Sequence, residues 1–359
     1  MTKRIDWIDI FKGFTIIAVV IGHSGSPLTP YVYLFHIPAF IFISGYTFNF
    51  KKYDGNFWTL VEVKFKRLII PYLSFAIFFS FLQIILSTFG YSKIIYSDNS
   101  KALFNPFWLF NSISSFNYTN SLAGATWFLV MLFSTTVIAY VTLKLQEKFK
   151  YNDLILIVYH LILFIVATSF LYPRWPKTHM NYFLDLGFIS IFFFISGYLA
   201  NKYKLFLLLN NNFFTLILVL GLLISKKFTH HQMDFPNRTF DLWFTILISS
   251  FCGIALTYSL SRIAEKIFLI KKTLLYIGQR SIVILSLHFS AFKIFFLLLT
   301  SINLYKIDQV KFLTPLPNNI YWIPLVIFSL ILSLLIEQIL AINKFTKILF
   351  LGKSYNPPS

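Results

Sequence analysis

Arg4-Ile-Asp6-Trp-Ile-Asp9-Ile-Phe-Lys12-Gly13, followed by an apolar run to Gly22-His23, reads as a membrane helix with titratable groups inside it. His23 lies eleven residues after Lys12. At about 100° per residue the two return to within roughly 20° of one another, about 16 Å apart along the axis, so they share a face. That face is a polar stripe through most of a bilayer. Titratable groups in hydrocarbon cost a few kcal/mol even on lenient scales, so they normally face a bundle interior and mark a pathway or a reaction site. A polytopic membrane enzyme or transporter is the first expectation.

Composition agrees. The chain has 359 residues, 57% hydrophobic and 12% charged, which leaves too little polar surface to cover a soluble globule. The fold class expected is all-α, a polytopic integral membrane protein in a single domain over 1–359. Apolar runs of spanning length place about ten helices, at 5–24, 31–49, 68–89, 126–144, 153–172, 182–200, 211–226, 240–260, 274–300 and 320–341. The first run lacks a small-residue cleavage site and carries Asp6, Asp9 and Lys12, so no cleaved signal is expected.

The net charge of +18 does not form one basic patch of the kind nucleic acid requires. The positives sort by side of the membrane instead. With the N-terminus inside, 19 of the 31 Lys and Arg fall in cytoplasmic segments and 9 in outer loops, while Lys12, Arg280 and Lys293 fall within spans. That excess predicts both termini in the cytoplasm. Cys252 is the one cysteine, which excludes an intrachain disulfide and argues against thiol redox chemistry.

The longest loop, about 90–125, is expected outside. It is rich in Asn and aromatic residues (Asn105, Trp108, Asn111, Asn117, Tyr118), suited either to holding a sugar or to anchoring at the interface. Ile41-Phe-Ile-Ser-Gly-Tyr46 and Phe193-Phe-Ile-Ser-Gly-Tyr198 are near copies. A parallel internal repeat and close helix packing through Ser-Gly pairs both account for them.

Several residues are candidates for chemistry. Asp9 and Lys12 are three apart and can pair on one turn. His23 has no such local partner. The link over 25–30 contains Pro27 and Pro30, so the second helix turns straight back and brings His36 within reach of His23. Lys64-Phe-Lys66-Arg67, ahead of Pro71-Tyr72, is a basic cluster at the inner mouth of the third helix; it is either a positive-inside anchor or a phosphate site. In the ninth helix Gly278-Gln279-Arg280-Ser281 leads to Ser286-Leu-His288, and Ser281 and His288, seven apart, share a face. The seven His show no metal-ligand spacing, so no metal is expected. There is no Gly-rich phosphate loop, Gly-x-Ser-x-Gly elbow or His-Glu-x-x-His.

These segments together resemble the acyltransferase-3 family of bacterial membrane acyltransferases, over nearly the whole chain. The resemblance is carried by Arg4…Asp9…Lys12-Gly13 with ten residues and then His23, by His36…Ser44-Gly45-Tyr46, by Arg67…Pro71-Tyr72, by Trp127-Phe-Leu and by Gly278…Ser281…His288. The family usually has Arg at the position of Lys12, and its Arg-x-x-Arg is here Lys64-x-x-Arg67. Lys keeps the charge but loses the bidentate fork, so Arg67 is the stronger phosphate candidate.

The resemblance implies transfer of an acyl group, commonly acetyl from cytoplasmic acetyl-CoA, to a hydroxyl of a cell-surface or lipid-linked glycan at the bacterial inner membrane. His23 and His36 are then the catalytic candidates, Lys12, Lys64, Arg67 and Arg280 the donor-binding ones. Asp9, Ser44, Trp127, Ser281 and His288 are supporting candidates. His23 would act as general base on the hydroxyl or carry the acyl group transiently. The competing class is a transporter or flippase for a glycan or lipid precursor, and a third is a structural partner of a polysaccharide synthase. Transport does not require the constellation of Lys12, His23 and Arg67.

Overall fold

The computed structural model describes residues 5–53, 55–89, 122, 124–172, 183–206, 212–229, 233–310 and 314–352. The described chain is helical: α1 (Asp6–His23), α2 (Thr29–Val32), α3 (His36–Tyr46), α4 (Phe57–Lys64), α5 (Ile70–Thr88), α6 (Trp127–Phe149), α7 (Asp153–Val166), α8 (Leu184–Lys202), α9 (Asn212–Phe228), α10 (Trp243–Ala264), α11 (Phe268–Gly278), α12 (Ser281–Ser301), α13 (Ile307–Val310), α14 (Trp322–Ile342) and α15 (Lys344–Leu351). The greater part of the 90–125 loop lies outside the described residues.

Among the described residues, 7 helical stretches are long and apolar enough to cross a membrane, and α4 and α5 count as one of them, Phe57–Leu86. The expectation of about ten spans is therefore only partly met. The shortfall has a physical basis. In α1 the apolar run shares its 18 residues with Asp6, Asp9 and Lys12, α3 has 11 residues, and α9 has 17. The first two are among the most enclosed elements. Buried groups such as Phe11, Ile16, Val20, Ile41 and Ile43 show that they pack inside the bundle rather than against lipid.

Expected boundaries also shift: the second span, 31–49, is found as α2 and α3 with a turn between them, and the third and ninth change most. The third helix does not begin at 68: Asn56 caps it by accepting from the Thr59 N–H, and it runs from Phe57. It widens into a π-turn at Phe65–Ile69. Pro71 has no N–H to give to the Arg67 carbonyl four residues back, and the wider turn accommodates that loss. The ninth helix does not run unbroken through 274–300. It breaks after Gly278, and Arg280 caps α12 with φ −115° and ψ 15°. The break lies where α11 meets α1. A Cβ on Gly278 would sit 1.9 Å from the Asp9 carbonyl oxygen, and one on Gly13 would sit 2.5 Å from that of Leu274. The two helices interlock through these glycines, which fixes α11 against the start of α1.

The duplicated Ile-Ser-Gly-Tyr segments make the second interlock. A Cβ on Gly45 would lie 1.9 Å from the Phe194 carbonyl oxygen, and one on Gly197 would lie 2.0 Å from that of Phe42. The copies pack on each other reciprocally, as small residues permit in apolar surroundings. The Asn201 amide donates to the Tyr46 carbonyl (2.8 Å), so both helices end on the same side and run parallel. The packing explanation of the repeat is thus realised, in a parallel geometry.

Candidate functional site

At one end of the bundle α1, α3, α4 with its π-turn, α6, α11, α12, α14 and the end of α15 surround a cavity of about 450 Å³. That is within the usual range for a small-molecule site. Asp9, Lys12, Ser44, Lys64, Arg67, Arg280 and Ser281 all line it. The four basic candidates and three of the supporting ones, drawn from positions as far apart as Asp9 and Ser281, therefore share one space.

These charges are not equally available. Lys12 Nζ is 3.6 Å from the Asp9 carboxylate, whose side chain is buried while that of Lys12 is partly open. Asp9 also accepts from the Gln279 amide at 3.5 Å. Arg280 is more heavily engaged. Its Nε donates to Glu337 (2.9 Å), one terminal nitrogen donates to the Tyr276 carbonyl (3.2 Å), and the guanidinium lies over the Tyr276 ring at 3.5 Å. Lys64 lies over the Phe48 ring at 5.8 Å. The Arg67 side chain is exposed and makes no hydrogen bond or ion pair with a described residue. Its fork of donors is the one most open to a ligand. Lys66, in the same basic run, pairs with Glu62 on an exposed surface and does not line the cavity.

The deep part of the cavity is apolar, with Ile16, Phe40, Phe128, Leu129 and Leu285 in its wall. Each of three helices carries a histidine just beyond this part. Ile16 precedes His23 by seven residues, Phe40 follows His36 by four, and Leu285 precedes His288 by three. At 1.5 Å of rise per residue these are axial steps of about 10, 6 and 4.5 Å. The expected proximity of His23 and His36 is mediated by a third ring. Tyr33 Oη is 3.0 Å from His23 Nδ1, and the Tyr33 ring packs edge-on against His36 at 4.9 Å. His288 stacks on His23 with ring centroids 5.4 Å apart, and Phe289 packs against both. Three imidazoles from three helices thus form one cluster.

Their tautomers follow from their partners. His36 Nδ1 is 2.7 Å from the Val32 carbonyl, and His288 Nδ1 is 3.0 Å from the Ile284 carbonyl. A carbonyl only accepts, so in both neutral rings Nδ1 carries the proton and Nε2 presents a lone pair. His288 Nε2 is buried without a hydrogen-bond partner among the described residues.

The remaining candidates divide. Ser44 donates to the Phe40 carbonyl, one helical turn back, while its side chain faces the cavity. Trp127 is buried in the core against Phe128 and Phe183 and does not line the cavity. Lys293, the third basic residue expected within a span, donates to the Val310 carbonyl at 2.6 Å and so fastens α13. Glu337, Gln279 and Tyr33 were not singled out from the sequence. A signal existed for Glu337, since an acidic residue inside the expected span 320–341 is as unusual as a basic one. Tyr33 carried none, because its role depends on how α2 turns. Among the described residues no group of three or more His, Cys, Asp or Glu could hold a metal ion.

A helical bundle with a cavity lined by four basic side chains, and with a cluster of three imidazoles beyond its apolar wall, defines a class: a multi-pass membrane protein with an internal polar site. The chain belongs to the acyltransferase-3 family, whose model, described as an acyltransferase domain, matches residues 5–338. It is accordingly a membrane acyltransferase. No curated protein and no solved structure matches it.

Proposed function

We propose that this protein transfers an acyl group, acetyl from cytoplasmic acetyl-CoA, to a hydroxyl of a cell-surface or lipid-linked glycan at the bacterial inner membrane. One observation carries the reading: the cavity joins Lys12, Lys64, Arg67 and Arg280 at its mouth to an apolar interior that points at His23, His36 and His288. CoA has the matching polarity, with phosphates at one end and a long arm ending in a thioester at the other. The phosphates bind the basic mouth through charge-assisted contacts, and the arm lies along Ile16, Phe40 and Leu285. The basic mouth is then cytoplasmic. Asp6, paired with Lys271, and Gly352, packed on Arg67, lie at that same end, which supports the reading of cytoplasmic termini.

At the other end His23 meets the acceptor. With Nδ1–H donating to Tyr33 Oη, its Nε2 has the lone pair that takes the hydroxyl proton. The new C–O ester bond forms as the C–S thioester bond breaks, and the proton passes to the departing thiolate to give CoA-SH. In a two-step variant Nε2 attacks the thioester carbon and the C–S bond breaks to release the CoA thiolate; the hydroxyl oxygen then attacks the acyl-imidazole, its C–O bond replaces the C–N bond, and the hydroxyl proton passes to the thiolate to give CoA-SH. His36 and His288, each with Nε2 as an acceptor, orient the acceptor hydroxyl.

The test is thiol release from acetyl-CoA by the purified protein in nanodiscs, together with the ester content of surface glycan from deletion and parent strains. Release that depends on His23, and ester lost on deletion, are expected. Protein that neither binds nor consumes acetyl-CoA, yet moves a labelled glycolipid across vesicles, would establish a transporter instead.

A further inference from the structure

The family model ends at residue 338, yet the cavity wall does not: Leu351 and Gly352, at the end of α15, line it. The segment is firmly seated. Asn343 caps α15 by accepting from the Phe345 N–H, and the Thr346 hydroxyl donates to the Leu340 carbonyl, which turns the chain back from α14. Phe350 packs edge-on against Phe75 (5.0 Å), and Leu351 is buried in one cluster with Phe75, Phe79 and Val283. Gly352 then ends the helix at φ +59°, a conformation that side chains other than glycine adopt at a cost. A Cβ there would stand 2.7 Å from the Arg67 carbonyl oxygen and 3.0 Å from the Arg67 Cα. This is the carbonyl that Pro71 leaves without its helical donor.

We infer that the C-terminal helix is a wall of the cavity, and that Gly352, by its fit against the Arg67 backbone, is a positioning residue that sets where the Arg67 guanidinium stands. A larger residue at 352 displaces the π-turn that carries Arg67, while loss of α15 opens the cavity between α5 and α14. The part that concerns the donor rests on the acetyl-CoA reading, whereas the wall does not.

Two measurements separate them. In a Cys252→Ala background, Val283→Cys lies behind Leu351. Truncation after Asn343 should speed its labelling by a maleimide at least tenfold, and truncation after Gly352 should leave the rate unchanged. Equal rates in all three chains would overturn the wall whatever the ligand is. Full-length Gly352→Val, compared by the same labelling, replaces the truncated chain if the latter is not monodisperse. In the second measurement Gly352→Val should weaken acetyl-CoA binding about tenfold by calorimetry. Added to Arg67→Ala it should cost nothing further, since both act through one contact. Wild-type affinity in Gly352→Val, or full additivity with Arg67→Ala, would overturn the positioning role. A wild type that binds no acetyl-CoA refutes the donor reading, and the labelling rates still decide the wall.

Discussion

The two ends of the cavity are built by different means. At the basic end polar groups are held by opposite charge: Lys12 by Asp9, Arg280 by Glu337. Side chains there stay partly open, and Arg67 lines the space without such a partner among the described residues. At the histidine end the rings are held by backbone carbonyls, by Tyr33 and by one another, and among the described residues neither His36 nor His288 pairs with a carboxylate. The difference fits two tasks. An anion is caught by charge, which water and salt screen but do not abolish at a partly open site. A proton acceptor needs a neutral ring in a fixed tautomer, and a carbonyl fixes the tautomer without adding charge.

The sharpest way to break this division is at the histidine end. His23→Ala should lower acyl transfer by about 10² to 10⁴-fold, the usual worth of a general base, while the acetyl-CoA affinity stays within about twofold. Turnover close to wild type would remove His23 from the chemistry. A large loss of donor affinity would show that the two ends are not separate.

The basic end should fail in the complementary manner. Arg67→Ala should weaken acetyl-CoA binding by roughly ten- to a hundredfold, because a hydrogen bond to a charged group is worth about 1.5 to 3 kcal/mol. Turnover at saturating donor should change little. Arg67→Lys should restore part of the affinity, since the charge returns without the fork. Calorimetry in nanodiscs checks both, and equal affinities for wild type and Arg67→Ala would move the phosphate site elsewhere.

How much of this the sequence revealed follows the same division. The basic end was readable because charge is rare in this chain: Lys12, Lys64, Arg67 and Arg280 stand out against apolar surroundings, and the structure gathers all four. That Arg280 is half committed to Glu337 was not readable, because the two lie 57 positions apart and only the packing of α12 on α14 joins them. At the other end the eleven-residue spacing placed Lys12 and His23 on one face, and the short proline-containing link brought His36 near. The stacking of His288 on His23 accompanies the break after Gly278, beside a glycine contact between α1 and α11 that has no signature in either segment alone. About ten spans were expected, whereas α1 and the 11-residue α3 are enclosed by other helices. Hydropathy reads apolar content, but it does not tell lipid from protein as the apolar partner.

A smaller effect tests how the His23 ring is held. Tyr33→Phe removes the hydroxyl 3.0 Å from His23 Nδ1 and keeps the edge-on ring contacts with His23 and His36. One neutral hydrogen bond is worth about 0.5 to 1.5 kcal/mol, so turnover should fall roughly two- to tenfold with donor affinity unchanged. A loss as large as that of His23→Ala would give the Tyr33 hydroxyl a direct part in proton transfer.

The smallest effect, and the one whose sign is most informative, is at Glu337. Its carboxylate is buried and shares the cavity with the four cations, so it opposes an anionic ligand while it steadies Arg280. Glu337→Gln keeps an oxygen to accept from Arg280 Nε and removes the charge. If Glu337 acts mainly as a counterion, the neutral variant should bind acetyl-CoA about two- to fivefold more tightly at low salt. A charge interaction across a solvated site is worth a fraction of a kcal/mol to about 1 kcal/mol. The gain should shrink as salt rises, since the range of the interaction falls to roughly 10 Å at 0.1 M. If Glu337 acts mainly by aiming Arg280, affinity should instead stay level in Glu337→Gln and fall in Glu337→Ala, where no acceptor remains. Weaker binding in Glu337→Gln at every salt concentration would contradict both accounts, and would mean that the charge itself holds the basic end in shape.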